Sequence, residues 1–362
     1  MTAKNKQHGM NVRDTIPGSV TIRRRGRNEW YVKQRYYGDE HDNNQNPTWV
    51  RIENPGRATK IVVHLTWAQF RHMQHRTIGY QQIGGKYRIV RGRTEPTKTV
   101  FEVEIPRGQS FFGAFPWYSN EDVDRFMRRM GRRPNGRVRS IGKTGKGRDI
   151  QCLTIDTDSG KRAKRNVVVM GRMHATEPSG SFAVEGTARF LLGKKAPAKW
   201  LKECAFHLIP VVNPDGTADG LKLTRMGPVE EYDMVRGGTG SNDPTIKALR
   251  DELNALRPAC LISHHSYLPS SPFLGVFEKS VGLNMLDELI KDWREGDDTW
   301  LIRVTSAEPK FLRYHCYKEF GTTAVFTEMP WQGRLPKDIE KLGADIFRAM
   351  MMAHEKRARR LT

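Results

Sequence analysis

From about residue 150 onward, short apolar runs alternate with stretches of helical periodicity. That alternation restricts the fold more than any other feature of the chain. The strand-like runs are "IQCLTI", "NVVVMGRM", "FHLIPVV", "CLISHH" and "TAVFTEM". The helical stretches are "SFAVEGTARFLL", "PTIKALRDELNAL", "VGLNMLDELIKDW" and "KDIEKLGADIFRAMMMAHEKRARR". Strands that alternate with helices have both faces covered, which predicts an α/β domain with a mostly parallel, mixed central sheet flanked by helices. A first helix is expected near residue 120. Ser119 or Asn120 can cap it, and Glu121 and Asp122 suit the positive end of its dipole.

Upstream the texture differs. Runs such as "SVTIRRRG", "EWYVKQRYYG", "TWVRIENPG", "KIVVHLTW", "GKYRIVRG" and "KTVFEVEIPRG" are rich in β-branched and aromatic residues and are broken by Gly, Pro and Asn. This spacing predicts a small all-β sandwich. "AQFRHMQHR" reads as a short helix or an irregular loop. The expected organisation is a β-sandwich domain over 1–115 and an α/β domain over 116–362. The 362 residues are enough for both.

Charge separates the same two parts. The chain carries a formal +21. Residues 1–150 hold 30 Lys and Arg against 13 Asp and Glu, while the rest is near balance at 31 against 27. A basic N-terminal surface attracts polyanions, among them acidic protein tails and nucleic acid. No known nucleic-acid motif accompanies it, and its aromatic residues are interleaved with strand-forming aliphatics as in a core. Nothing in the sequence fixes an oligomeric state.

The four cysteines, Cys152, Cys204, Cys260 and Cys316, lie far apart, which argues for buried free thiols and against a disulfide framework or a cysteine zinc cluster. No run approaches the ~18 apolar residues of a membrane span. The first residues lack the apolar core of a signal peptide, so a cytoplasmic location is the default expectation. "GKTGKGR" lacks the spacing of a phosphate loop and reads as a turn before a strand.

Chemistry is expected where apolar runs end. "RMHATEP" places His174 and Glu177 three residues apart at the end of a strand. "VVNPDG", "SHHSY" and "FTEM" follow other strand ends, adding Asn213, His264, His265 and Glu328. Ligands of α/β sheets gather at such carboxyl ends. Imidazole and carboxylate donors suit a zinc site that keeps a position open for water.

His, Glu, His and Glu at strand ends, in that chain order, resemble the zinc metallocarboxypeptidases. "GKTGKGRDIQCLTI", "GRMHATEP", "NPDG" and "LRYHCYKEFGTTAVFTEM" are most similar to the cytosolic carboxypeptidase branch, which is deglutamylase-like and also carries a β-rich domain ahead of the catalytic one. The resemblance runs over most of residues 116–335. It implies one zinc ion per chain, held by His174, Glu177 and one of the paired histidines. The small polar Ser263 two before and Ser266 just after favour His265, whereas counting back from Phe273 and Gly275 favours His264. It further implies Glu328 as the general base acting on metal-activated water, and Arg225 as the oxyanion partner. Asp233 would orient a ligand imidazole, and Arg236 and Tyr267 would bind substrate. Arg313, fifteen residues before Glu328, would face the substrate's C-terminal side chain and favour Glu or Asp there.

One position departs from the pattern. Val235 stands where the family has asparagine, and valine cannot donate a hydrogen bond to a terminal carboxylate. The implied function is a zinc carboxypeptidase that removes acidic C-terminal residues from peptides or proteins. Two alternatives stand beside it: a zinc amidase acting on a modified amino acid, cell-wall peptide or small acylated metabolite, and a catalytically lapsed nucleic-acid-binding protein.

Overall fold

A computed structural model describes residues 9–34, 48–66, 78–157, 164–220, 243–266, 273–276, 301–304 and 312–361. The chain divides into two compact units, Met1–Trp117 with Gln332–Leu335, and Tyr118–Trp331 with Pro336–Thr362.

The first unit is built from β1 (Asn11–Asp14), β2 (Val20–Gly26), β3 (Glu29–Gln34), β4 (Trp49–Asn54), β5 (Thr59–Thr66), β6 (Ile78–Ile83), β7 (Lys86–Glu95), β8 (Lys98–Ile105) and β9 (Gly108–Gly113). These form a continuous nine-stranded sheet in the order β1-β4-β9-β6-β7-β8-β5-β3-β2. The long strand β7 joins its two halves, pairing with β6 over Lys86–Arg91 and with β8 over Gly92–Glu95. Gly92 marks the switch: a Cβ there would stand 2.6 Å from the Phe101 ring. Phe101 of β8 meets Phe112 of β9 edge-on, with ring centroids 5.2 Å apart, so side chains from the two halves share one core. Strands β1, β6 and, apart from Gly108, β9 lie outside the β-branched and aromatic runs quoted from the sequence. "AQFRHMQHR" lies outside the described residues.

The second unit holds a mixed eight-stranded sheet of β10 (Gly136–Lys143), β11 (Asp149–Ile155), β12 (Arg165–Gly171), β13 (Cys204–Ile209), β14 (Cys260–His265), β15 (Phe273–Val276), β16 (Leu301–Val304) and β17 (Thr323–Glu328). Its order is β10-β11-β13-β12-β14-β17-β15-β16. The centre, β13-β12-β14-β17, is parallel, and antiparallel partners flank it on both sides. Strand β12 is buried from Val167 to Gly171, as its unbroken apolar run requires.

Helices cover both faces. On one, Ile246, Leu249 and Leu253 of helix Pro244–Leu256 and Leu312 and Cys316 of helix Leu312–Phe320 pack with Val168, Met170, Leu261 and Ala324 of the sheet. On the other lie helices Pro178–Leu191 and Pro336–Leu361, the latter carrying Phe347 against Phe206 at 5.7 Å between centroids. These two helices approach closely, and a Cβ on Gly186 would stand 1.8 Å from the Glu340 carbonyl oxygen. Helix Asn120–Gly131 begins at Ser119, whose side chain and that of Asp122 form a capping box.

All four cysteines are buried free thiols. Burial pushes the Cys152 and Cys260 thiols up to about 12, which leaves them unreactive at neutral pH. Among the described residues, no helix is long and apolar enough to cross a membrane. The stretch "VGLNMLDELIKDW" lies outside the described residues.

Candidate metal centre

The parallel strands deliver their polar ends to one edge of the sheet. Strand β12 ends at Gly171, and the chain then makes a tight turn through Arg172 in the left-handed region, at φ 55°. Arg172 is itself buried, at 2% exposure. Its Nε donates to the Ala175 carbonyl at 2.9 Å, and a terminal guanidinium nitrogen donates to the Tyr118 carbonyl. Burial lowers this guanidinium to about 10, against the pull of surrounding acidic groups that include Glu177. It remains a cation at neutral pH and holds the "MHATE" turn from within.

Helix Pro178–Leu191 starts directly after this turn, with Pro178 at a position where a missing N–H costs nothing. Its first turn lies against the strand ends. A Cβ on Gly180 would be 2.6 Å from the His264 carbonyl oxygen, and one on Gly171 would be 2.6 Å from Gly180. This contact brings Glu177 over the end of β14.

His174, Glu177 and His265 converge there, with ligand atoms that all lie within 4.8 Å of one another. His174 Nδ1 is 2.9 Å from Glu177 Oε1, and His265 Nδ1 is 3.2 Å from Glu177 Oε2 and 3.3 Å from His174 Nδ1. The Ser266 backbone N–H donates to Glu177 Oε2 at 3.1 Å. Burial by itself would raise the Glu177 carboxyl. The adjoining His174 charge and hydrogen bonds from both imidazoles reverse that and hold it well below the usual carboxylate range. An ionised carboxylate and two imidazole nitrogens sharing one point make a donor set that fits zinc.

The paired histidines take opposite faces of β14. His265 joins the cluster. His264 turns to the other face, where its Nδ1 meets Thr327 Oγ1 at 2.9 Å. Burial and the neighbouring His265 lower His264 to about 3, so it is a neutral, internal imidazole.

Glu328 ends β17 as the register partner of His265. Neighbours at matched positions on parallel strands project to the same face, so Glu328 rises beside the cluster. Phe326, one step lower on that face, lies 6.3 Å from the His265 ring, and the Arg313 guanidinium sits 4.1 Å over the Phe326 ring. Arg313 is buried at 4% exposure, although it belongs to a strongly basic chain. Arg225, Asp233, Val235, Arg236 and Tyr267 lie outside the described residues.

"NPDG" starts a short helix, Pro214–Asp219, where the sequence suggested only a strand end. Asn213 Oδ1 accepts from the Gly216 N–H at 2.8 Å, and the Asn213 N–H donates to the Arg172 carbonyl at 3.1 Å. Asp215 accepts from Arg148 at 2.6 Å and from the Lys146 N–H at 2.9 Å, so the "GKTGKGR" turn is tied to this helix. Arg172 does not stand out in the sequence. A non-glycine residue in the left-handed region leaves no mark in composition or periodicity.

Residues 123–232 match the zinc carboxypeptidase family, Peptidase_M14. That match covers 110 of the 362 residues, a similarity over less than a third of the chain. It is 25% identical to human cytosolic carboxypeptidase 2 over 161 residues, which covers 40% of this chain and 18% of the human protein. Over 89 residues it is 36% identical to the Danio rerio protein of the same name, covering 23% of this chain and 12% of that one. The chain thus spans less than a fifth of the length of these relatives.

Among solved structures, a metallo-carboxypeptidase from Burkholderia cenocepacia superposes with a TM-score of 0.79 at 19% identity, covering 96% of this chain and 99% of that one. A metallo-carboxypeptidase from Pseudomonas aeruginosa gives 0.74 at 16% identity, with 94% and 98% covered. At these identities the likeness is one of fold.

Proposed function

We propose that the protein is a zinc-dependent carboxypeptidase that removes C-terminal Glu or Asp residues from peptides or proteins. The observation that carries this reading is the convergence of His174, Glu177 and His265 beside Glu328 at the carboxyl ends of parallel strands. His174, Glu177 and His265 hold the metal. Zinc, when bound, supplies Lewis acidity toward the scissile carbonyl and toward water.

The remaining steps belong to side chains. Glu328, at the end of β17, takes a proton from the attacking water and passes it to the leaving amine. Arg225 stabilises charge developing on the carbonyl oxygen. Arg236 binds the terminal carboxylate, a two-pronged guanidinium contact being the strongest form such a pair can take, and Tyr267 also binds substrate. Asp233 orients a ligand imidazole. Arg313 receives the acidic side chain, and its buried place over Phe326, next to His265, supports that role. The basic residues of 1–150 favour acidic tails as partners through long-range attraction. Two further proposals are a cytoplasmic setting and an all-β sandwich as the N-terminal domain.

The test is incubation with peptides ending in Glu, in Leu and in a C-terminal amide, with and without a chelator, read by mass spectrometry. Loss of one residue from the Glu peptide alone, abolished by chelation, is the expected result. Val235 motivates the amidase alternative, and equal cleavage of amidated and free-carboxyl peptides would establish that alternative instead.

A further inference from the structure

Ser263 stands two residues before His265 on β14, so both side chains leave the sheet on the same face. The matched positions on either side of Ser263 are Met170 of β12 and Phe326 of β17. A hydroxyl at 2% exposure between two apolar neighbours needs a hydrogen-bond partner to justify its burial. It has one, because Ser263 Oγ lies 3.1 Å from His265 Nε2.

The other nitrogen of the same ring, Nδ1, faces Glu177 and His174. A neutral imidazole carries one proton for its two nitrogens. If Nδ1 offers its lone pair to a metal, the proton sits on Nε2 and requires a buried acceptor.

We infer that Ser263 is a positioning residue of the metal centre, whose hydroxyl accepts the Nε2 proton of His265 and so fixes the tautomer and ring orientation that present Nδ1 to zinc. This rests on the zinc reading above. Hydrogen bonds of this kind to ligand imidazoles raise ligand basicity, and their loss costs 10- to 100-fold in metal affinity.

The experiment measures zinc dissociation constants of the full chain by competition with a chromogenic chelator. Ser263→Ala is expected to weaken zinc about 10- to 100-fold, and Ser263→Thr, which keeps a hydroxyl, to recover most of the loss. The visible spectrum of the cobalt-substituted protein should shift in Ser263→Ala and return in Ser263→Thr. Thr327→Val removes the partner of His264 on the opposite face and serves as the control, with affinity retained. The inference is overturned if Ser263→Ala binds zinc as tightly as the unmodified chain, or if Thr327→Val loses as much. An unmodified chain that binds no zinc would overturn the proposed function together with it.

Discussion

Glu328 and His265 are register partners at the carboxyl ends of β17 and β14, and the Met329 N–H donates to the His265 carbonyl at 2.7 Å just beyond them. A carboxylate and an imidazole far apart in sequence are therefore held side by side by backbone pairing. A rigid sheet places them more accurately than two loops could.

That placement separates binding from proton transfer. Glu328→Gln preserves size and hydrogen-bonding reach but cannot accept a proton. Turnover of a Glu-terminated peptide should fall about 100- to 10,000-fold, while zinc content by elemental analysis stays at the level of the unmodified chain. Equal loss of zinc and activity would place Glu328 among the ligands.

The two adjacent histidines should separate just as sharply. His265→Ala removes a donor of the cluster and should cost more metal affinity than the roughly 10- to 100-fold attached to an outer hydrogen bond. His264→Gln acts on the opposite face, under the helix that follows Glu177, and should keep its zinc while lowering the melting temperature. Chelator competition and thermal melting on the same samples distinguish the two outcomes.

The alternation of β12, β13, β14 and β17 with helices was readable because each strand is a short apolar run, and a helix such as Pro244–Leu256, buried at Ile246, Leu249 and Leu253, keeps a 3.6-residue period. Helix Leu312–Phe320 was not readable, since "LRYHCYKEF" buries only Leu312, Arg313 and Cys316 and offers no wide apolar stripe. Edge strand β10 was missed for a related reason. None of its residues, "GRVRSIGK", is fully buried, and no inward alternation survives in the sequence. In the site, His174, Glu177 and Glu328 were visible as polar residues ending apolar runs. The choice between His264 and His265 was not visible, because it depends on which face of β14 each occupies, and strand phase is fixed only by pairing with β12 and β17.

Arg313 offers a test of specificity that is insensitive to folding. Removing a buried guanidinium can lower the folded fraction, which scales all rates alike. The ratio of rates on Glu- and Leu-terminated peptides cancels that factor. Arg313→Ala should reduce this ratio about 10- to 100-fold, the size of one charge-assisted hydrogen bond. An unchanged ratio would remove Arg313 from the substrate pocket.

Close approach of helices Pro178–Leu191 and Pro336–Leu361 gives a stability prediction. Gly186→Ala sets a methyl group 1.8 Å from the Glu340 carbonyl oxygen, so the helices must move apart. Overpacking of this kind costs about 1–3 kcal/mol. Gly145→Ala, with nothing within 4 Å of the added carbon, is the matched control and should melt with the unmodified chain. Urea titrations of the two variants provide the comparison.

His207 gives the chain an acid sensitivity of calculable sign. Its ring is buried, with Nε2 3.1 Å from Asn166 Oδ1 and Nδ1 3.4 Å from Thr154 Oγ1. Burial lowers it to about 4, and the nearby Arg139 charge pushes the same way. In the unfolded chain an imidazole titrates near 6.5. Between those values the unfolded state binds a proton that the folded state does not, so stability falls as pH drops from 6.5 toward 4 and this contribution levels off below 4. The full effect is about 3 kcal/mol. His207→Gln removes the titrating group and should flatten that part of the curve. Subtracting the variant's urea stability from that of the unmodified chain, pH by pH, cancels the carboxylates common to both. A difference independent of pH from 7 to 4 would show that His207 takes up its proton in the folded protein as readily as in the unfolded one.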